Sequence, residues 1–259
     1  MTTKTIPEIP PSVADIIAPA VTPGSTAIVL SQNGLNIEKP IIERFPSNPV
    51  VSSISLISVG EFSHGKIVHD DKDIQKIGAF ESPGVPDGVA EAAAKRYISL
   101  YNARGLLDLA YEEDVQFTRW RKLVYNASFN TVCAVLGMDT ARMRMSRHII
   151  DDLVKPIMLE IVAAARACGY DLPEGLPDLV IRTDPTDVEI KPSMLQDMEK
   201  GNLLEIETIV HQPLLEGKSR GVPMPTLRTV YGILKGLQLK TMQAKGLWEP
   251  RFADGNPYR

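Results

Sequence analysis

The sequence has little of what builds metal sites, disulfide frameworks or nucleic-acid-binding surfaces. Its two cysteines, Cys133 and Cys168, lie far apart, and its four histidines are scattered without a CxxC or HExxH pattern. We therefore expect reduced cysteines and no bound metal. The formal net charge of -4 argues against a nucleic-acid partner, because such partners favour a basic surface.

Long hydrophobic runs are also lacking. Residues 1–20 include Pro7, Pro10 and Pro11 and contain no apolar core, which argues against a signal peptide. No stretch approaches the roughly 20 apolar residues that a membrane helix needs. With 44% hydrophobic and 23% charged residues, the composition is typical of a globular protein. We therefore expect a cytoplasmic location and no membrane partner.

The pattern of the chain changes near residue 114. Before it, short apolar and β-branched runs alternate with helical patterns, whereas helical periodicity dominates after it. Strands are predicted at 27–30, within 49–62, on both sides of a charged turn at 70–73, and within 106–112. Helices are predicted at 12–21, 87–104, 114–138, 145–169, 192–201, 203–221 and 226–243. The sequence thus predicts an α/β domain over 1–114 and an all-α domain over 115–259.

One helical stretch carries an unusual row of polar side chains. In "RWRKLVYNASFN", Lys122, Asn126 and Asn130 recur every four residues, which places them on one face of a helix. The row is either a solvated face or the lining of a polar cleft. Its apolar neighbours indicate a largely buried helix, and buried carboxamides need partners in the protein or in a ligand.

Two further polar features each allow two interpretations. Glu205 is either a first-turn acid that interacts with the helix dipole, or a carboxylate paired with Lys122. Asn33-Gly34 is a common turn pair. It also follows the end of a predicted strand, however, where α/β sheets bind ligands.

Three segments in order carry a family resemblance: "QNG" at 32–34, "WRKLVYNASFN" at 120–130 and "SMLQDMEKGNLLEIE" at 193–207. Over nearly its whole length the chain resembles the ketopantoate reductase (2-dehydropantoate 2-reductase) family. The resemblance implies an incomplete Rossmann-like domain followed by a helical domain of the 6-phosphogluconate-dehydrogenase-like type. It also implies NADPH-dependent reduction of 2-dehydropantoate, or a related 2-keto acid, to the 2-hydroxy acid in pantothenate biosynthesis. A homodimer through the helical domain is expected as well.

The resemblance also assigns roles to individual side chains. Lys122 matches the lysine that polarises the keto group and supplies its proton, and Glu205 matches a carboxylate that contacts that site and helps bind substrate. Substrate-binding side chains are implied at Asn126, Asn130 and Ser193. These roles agree with the chemistry, because hydride delivery to a ketone builds negative charge that an ammonium stabilises.

Cofactor contacts are implied at Asn33, near the nicotinamide, and at Lys4. No two glycines are separated by one residue, however, so the GxGxxG turn that seats a pyrophosphate is absent from these 259 residues. We therefore expect NADP(H) binding to be weak or absent in the chain as given. We also expect that coding sequence upstream of Met1 was lost or missed.

Smaller departures from the family leave other functions open. Asn202 replaces a commonly basic residue, and His211-Gln212 replaces a usual Asn-Gly pair. One alternative is a truncated, non-catalytic homologue that acts as a binding or association module. Another is a tailoring enzyme that acts on a different carbonyl substrate, since fold and lysine do not fix the substrate.

Overall fold

The computed structural model describes residues 1–69, 72–252 and 254–259. Its first part is α/β, as the sequence predicts. The strands are β1 (Ile28–Leu30), β2 (Val50–Ser55), β3 (Val59–Ser63), β4 (Lys66–His69), β5 (Ile74–Phe80) and β6 (Asp108–Tyr111). The helices of this part are α1 (Val13–Ile17), α2 (Lys39–Arg44) and α3 (Val89–Tyr101).

Four of the strands form one mixed sheet in the order β1-β2-β5-β6. β1 and β2 are parallel, as are β5 and β6, whereas β2 and β5 are antiparallel. The antiparallel pair arises because β2 returns to β5 through the hairpin of β3 and β4, which forms a separate two-stranded sheet. The predicted charged turn at 70–73 includes Asp70 and Asp71, which lie outside the described residues.

The ends of the two predicted early helices follow local chemistry. Ser12 precedes α1, and its side chain accepts a hydrogen bond from the Asp15 backbone N–H, as expected of an N-cap. The predicted helix over 87–104 extends too far at its C-terminal end. α3 ends earlier, with Asn102 as its C-cap. The Asn102 amide exchanges two hydrogen bonds with the Leu107 backbone, which stops the helix before the glycine.

The second part is helical. It contains α4 (Val115–Asn126), α5 (Phe129–Leu136), α6 (Thr140–Met145), α7 (Arg147–Ile149), α8 (Lys155–Ala167), α9 (Leu176–Ile181), α10 (Ser193–Glu199), α11 (Gln212–Ser219) and α12 (Pro225–Ala244). Two π-helical turns, Ile150–Val154 and Glu207–His211, precede α8 and α11. α6 and α9 are additions to the predicted set of helices. The boundary at residue 114 stays a prediction, but all six strands precede it and α4 begins directly after it.

The prediction of a single helix over 114–138 is wrong. α4 ends at Asn126 and α5 begins at Phe129. The break lies at Ser128, whose hydroxyl donates to the Val124 carbonyl at 2.5 Å, an alternative to helical backbone pairing. Asn130 therefore belongs to a different helix from Lys122. Gly137 ends α5, with a left-handed φ of 65°.

Within the predicted helix over 145–169, helical residues run without a break from α7 into α8, and Pro156 is the second residue of α8. The π-helical turn Ile150–Val154 lies directly before it. Among the described residues, no helix is both long and apolar enough to cross a bilayer.

Candidate active site

Lys122 lies where the helical part meets the sheet. Asp114 accepts a hydrogen bond from the Phe117 backbone N–H and so fixes the start of α4. The apolar side of α4 is buried, which leaves Lys122 directed at the strand ends. Its ammonium donates to Asn33 Oδ1 at 2.8 Å and to the carbonyl of Ser55 at 2.5 Å.

These two acceptors mark one edge of the sheet. Asn33 follows β1, and Ser55 is the last residue of β2. Because β1 and β2 are parallel, their carboxyl ends lie at the same edge, the position at which open α/β sheets bind ligands. The ligand-site interpretation of Asn33-Gly34 stays a prediction.

The environment of Lys122 changes its acidity. Loss of hydration on burial lowers its pKa most, the positive charge of Arg119 lowers it as well, and Glu205 opposes both; together they bring the pKa to about 8. At neutral pH such an amine is mostly protonated, yet it gives up its proton more readily than an ordinary lysine. A pKa close to the working pH suits a general acid.

Asn126 lies beside Lys122 and is only 8% exposed. It lines a cavity of about 10 Å³, which is room for about one water molecule. The residues that line this cavity are Gln32, Asn33, Gly34, Ile54, Arg119, Lys122, Leu123 and Asn126. Within the described part of the chain the Asn126 amide makes no hydrogen bond. The amide atoms are not among the fully buried unpartnered ones, so they are open to water or a ligand in this cavity.

Glu205 forms a second group with Lys4. It is 4% exposed and accepts from the Thr5 backbone N–H at 3.0 Å. The Lys4 ammonium lies 3.5 Å from Glu205 and 2.6 Å from Asp197. Burial raises the pKa of Glu205, although Lys4 opposes the rise. For Lys4, burial lowers the pKa, but the two carboxylates outweigh it and the net shift is upward.

The interpretation of Glu205 as the ion-pair partner of Lys122 is wrong. No ion pair joins the two side chains among the described residues, and the cation next to Glu205 is Lys4. The Lys122 ammonium is instead held by two neutral oxygens. Glu205 still influences Lys122 through its charge, because it raises the lysine's pKa.

Asn130 and Ser193 form a third group. Asn130 accepts from the Met194 backbone N–H at 2.7 Å and donates to the Ser193 hydroxyl at 3.2 Å. Both ends of the buried amide are thus used to hold the first turn of α10. Asp197 lies one turn after Ser193 on this helix, so α10 connects the third group to the second. The substrate-binding roles of Asn130 and Ser193 stay predictions.

Two residues of the site were missed by sequence reasoning. Asp197 lies four positions after Ser193, a spacing that places both on one face of α10. Arg119 lies three positions before Lys122 and is buried beside it. The helical spacing was the available signal in both cases. The described residues contain no group of three or more side chains suited to hold a metal ion.

Comparison with known sequences agrees with this geometry. The family described as "Ketopantoate reductase PanE/ApbA" matches residues 1–82, and its C-terminal counterpart matches residues 114–238. An uncharacterised protein of Saccharomyces cerevisiae is 35% identical over 234 residues, which cover 86% of this chain and 64% of the yeast protein. A 2-dehydropantoate 2-reductase of a Nostoc species is 27% identical over 85% of this chain and 68% of its own length. The chain thus spans about two thirds of these relatives.

Solved structures give the same result. The 2-dehydropantoate 2-reductase of Methylococcus capsulatus aligns with a TM-score of 0.78 and 29% identity, covering 93% of this chain and 74% of that one. A ternary structure of D-mandelate dehydrogenase with NADH and anilino(oxo)acetate aligns with a TM-score of 0.74. At 22% identity, over 88% of this chain and 72% of that one, the second likeness supports the fold alone.

Proposed function

Because this chain belongs to the ketopantoate reductase family, we propose that it carries the site of an NADPH-dependent oxidoreductase. The proposed reaction reduces 2-dehydropantoate, or a related 2-keto acid, to the 2-hydroxy acid. The observation that carries the proposal is the Lys122 ammonium at the carboxyl edge of β1 and β2, with a pKa of about 8. A ketone oxygen placed there meets both a positive charge and a proton donor.

The proton step uses residues of this chain. A reduced nicotinamide supplies the hydride when bound. As the carbonyl carbon gains that hydride, the C=O electron pair moves to oxygen and takes a proton from the Lys122 ammonium. Lys122 is left as a neutral amine and regains its proton from solvent. Asn33 and Ser55 hold the ammonium in place during this exchange.

The remaining polar groups suit the rest of a keto acid. The unpaired amide of Asn126 lines the same cavity as Lys122, and we assign it to substrate oxygen atoms. The hydroxyl of Ser193 is exposed and fits the substrate carboxylate. We also assign the Glu205 carboxylate, which lies next to Lys4, to substrate binding. Its negative charge lies near Lys122 and raises the pKa of that lysine.

The residues present fit one end of a nicotinamide cofactor. Asn33 lies at the strand edge where a nicotinamide ring approaches in such folds, although its oxygen is also used by Lys122. Lys4 offers a cation, which is shared with Asp197 and Glu205. The 259 residues contain no glycine-rich turn for the pyrophosphate. The expected cofactor affinity of this chain therefore stays low.

Binding of the keto acid tests the proposal without depending on the cofactor. Titration calorimetry of the chain with 2-dehydropantoate, and with the 2-hydroxy acid product, should give saturable binding. Lys122→Ala and Asn126→Ala should weaken it, whereas Lys240→Ala, which removes an exposed lysine of α12, should not. Consumption of NADPH at millimolar cofactor then tests turnover.

Two outcomes would contradict the proposal. One is the absence of saturable binding by any of a panel of 2-keto acids. The other is binding that Lys122→Ala and Lys240→Ala affect equally. A panel that includes aromatic and branched keto acids also identifies which substituent the site prefers.

We further propose a homodimer through the helical part. Large apolar side chains of α12, Ile233 and Leu239, are exposed. A stable dimer buries such residues. Light scattering of the wild type and of Ile233→Glu would test this, with a monomeric wild type contradicting it.

A further inference from the structure

Arg119 is a buried cation that the proposed reaction does not use. It is 4% exposed, and its Nε donates to Glu38 Oε1 at 2.7 Å and to the Ser52 hydroxyl at 2.8 Å. Its Nη1 donates to the carbonyls of Gln32 at 3.1 Å and of Gly34 at 3.0 Å. One guanidinium thus joins α4 to β2, to the residue before α2 and to the loop that carries Asn33.

The two carbonyls that Arg119 grips are the neighbours of Asn33 on either side. Asn33 is the residue whose oxygen accepts from Lys122. Arg119 and Lys122 lie one turn apart on α4, so a single rigid helix sets both contacts. The position of the Asn33 oxygen relative to the Lys122 ammonium is therefore fixed from both sides.

The same loop is anchored further along. Gly34 has a φ of 103° and packs so closely on Thr208 that an added Cβ would come within 2.4 Å of the threonine Cβ. The Leu35 backbone N–H donates to the Thr208 carbonyl at 2.9 Å, and the Leu35 side chain enters the helical core. Asn36 donates to Gln212. These contacts leave the loop few conformations, and Arg119 fixes the backbone of its first half.

The buried ion pair is a poor device for stability alone. Glu38 is 0% exposed, and removing both charges from water is expensive. Within the described residues, Arg119 Nη2 and Glu38 Oε2 are buried without a hydrogen-bond partner. Unpaired buried polar atoms add to that cost. A buried ion pair with these costs is better suited to fixing the geometry of its neighbours than to adding stability.

We propose that Arg119 is a positioning residue that holds the 32–34 loop so that Asn33 fixes the Lys122 ammonium for proton donation. This inference rests on the proposed function for its kinetic consequences. Its effect on the lysine is measurable without any reaction. Arg119 also places positive charge beside Lys122, and this charge favours release of the lysine's proton.

The charged groups around Lys122 are few. On its own helix Arg119 lowers its pKa, and from the segment before α11 Glu205 raises it. Asn33 and Ser55, which face it from the sheet edge, are neutral. A change in the pKa of Lys122 on removal of Arg119 therefore comes either from the lost Arg119 charge or from movement of the 32–34 loop.

The first readout is the pH dependence of Lys122 acetylation by limiting acetic anhydride, followed by mass spectrometry. In the wild type the midpoint should lie near the pKa of about 8. In the double variant Arg119→Met with Glu38→Gln, which leaves no orphaned charge, the midpoint should rise by about 1 unit. Arg121→Met is the matched control, because Arg121 is exposed on the same helix, and it should leave the midpoint unchanged.

The second readout is turnover, in any preparation that reduces a keto acid. Loss of loop position should lower kcat by about 10- to 100-fold, since a displacement of about 1 Å at a reacting group can cost that much. KM should change far less. Arg119→Lys keeps the charge opposite Glu38 but lacks the planar fork for both carbonyls, so it should not rescue kcat. Arg121→Met, the matched control, should leave kcat near the wild-type value.

The outcomes separate this inference from the proposed function. If no keto acid is reduced but Arg119→Lys, which keeps the charge and loses the planar fork, shifts the acetylation midpoint, the proposed reaction fails and the positioning role stands. An unchanged midpoint in the double variant overturns the inference. Should the double variant not fold, Arg119→Lys decides, and a folded Arg119→Lys protein with wild-type kcat and midpoint overturns it.

Discussion

The helical part and the sheet part of this protein are built around very different cores. The helical part encloses one continuous core that includes Trp120, Phe129 and Ile161. The sheet has two small and separate clusters, one beneath α1 and α2 around Leu30 and one beneath α3 around Ile77. The free energy of burial rises with the apolar area removed from water, so we expect the helical part to be the more stable of the two.

This difference explains where the site residues lie. Lys122, Asn126, Asn130 and Ser193 all belong to helices that border the large core. The sheet part contributes mainly Asn33, on a loop that the helical part grips. A site needs its reacting groups on rigid elements. Here the sheet part, which has the smaller cores, supplies Asn33, and residues of the helical part fix the position of Asn33.

The largest expected effect of breaking this arrangement is chemical. In a preparation that reduces a keto acid, Lys122→Ala removes the proposed general acid and should lower kcat by about 10²–10⁴-fold. Unfolding of the variant, followed by circular dichroism, should stay cooperative. Near-normal turnover would remove Lys122 from the proposed mechanism, and Lys240→Ala provides the matched control.

The two cores should differ in their response to cavities. Ile161→Ala, within α8, should lower the free energy of unfolding by about 2–5 kcal/mol, because the large core cannot collapse around the void. Ile77→Ala in β5 should cost less, since its cluster is small and close to solvent. Urea unfolding measures both changes.

Leu159→Ala is the control for the cavity comparison, because Leu159 is exposed on the same helix as Ile161. It should change the free energy of unfolding by less than about 0.5 kcal/mol. An Ile77→Ala cost equal to that of Ile161→Ala would show that the sheet is as firmly packed as the helices.

Stability should also depend on the Lys122 charge. The pKa of Lys122 is about 8 in the folded state, below the ordinary value of 10.5. Between these pH values the unfolded chain binds more protons, so this lysine makes stability rise with pH. The gain approaches about 3 kcal/mol, from roughly 2.5 pK units at about 1.36 kcal/mol each.

Lys122→Met isolates this contribution. The difference in unfolding free energy between wild type and Lys122→Met, measured by urea titration, should shift in favour of the wild type from pH 8 to pH 10.5. Other titrating groups are common to both proteins and cancel. A difference that stays flat over this range would mean that the folded lysine has an ordinary pKa.

Sequence patterns predicted the fold where local chemistry and packing agree. The strand predicted at 27–30 and the helix predicted at 192–201 are examples, because each depends on residues close in sequence and corresponds to β1 and α10. The break at Ser128 was missed, since a hydroxyl that bonds back to the preceding turn competes with the helix without altering its apolar periodicity.

The site was predicted less completely, for a related reason. Residue types and spacing identified Lys122 and Asn126, which lie one turn apart. The pairing of Glu205 with Lys4 joins residues about 200 positions apart in the sequence, and the Thr5 backbone N–H contacts the same carboxylate. Helical periodicity carries no information about such contacts. Arg119 was overlooked because a single arginine is usually exposed.

The smallest expected signal comes from NADPH added to the 259-residue chain. Cofactor affinity in Rossmann-like folds rests on backbone N–H groups at a glycine turn and on the helix dipole behind it. The sequence has no such turn, and the groups that remain, Asn33 and Lys4, are already engaged with Lys122, Asp197 and Glu205. Titration calorimetry should therefore show weak or undetectable binding. Hydrogen exchange on the same sample should show the β5 amides less protected than those of α8, as the two cores require. Micromolar binding of NADPH would contradict the expected low cofactor affinity. Sheet amides as well protected as those of α8 would contradict the expected difference in stability between the two parts.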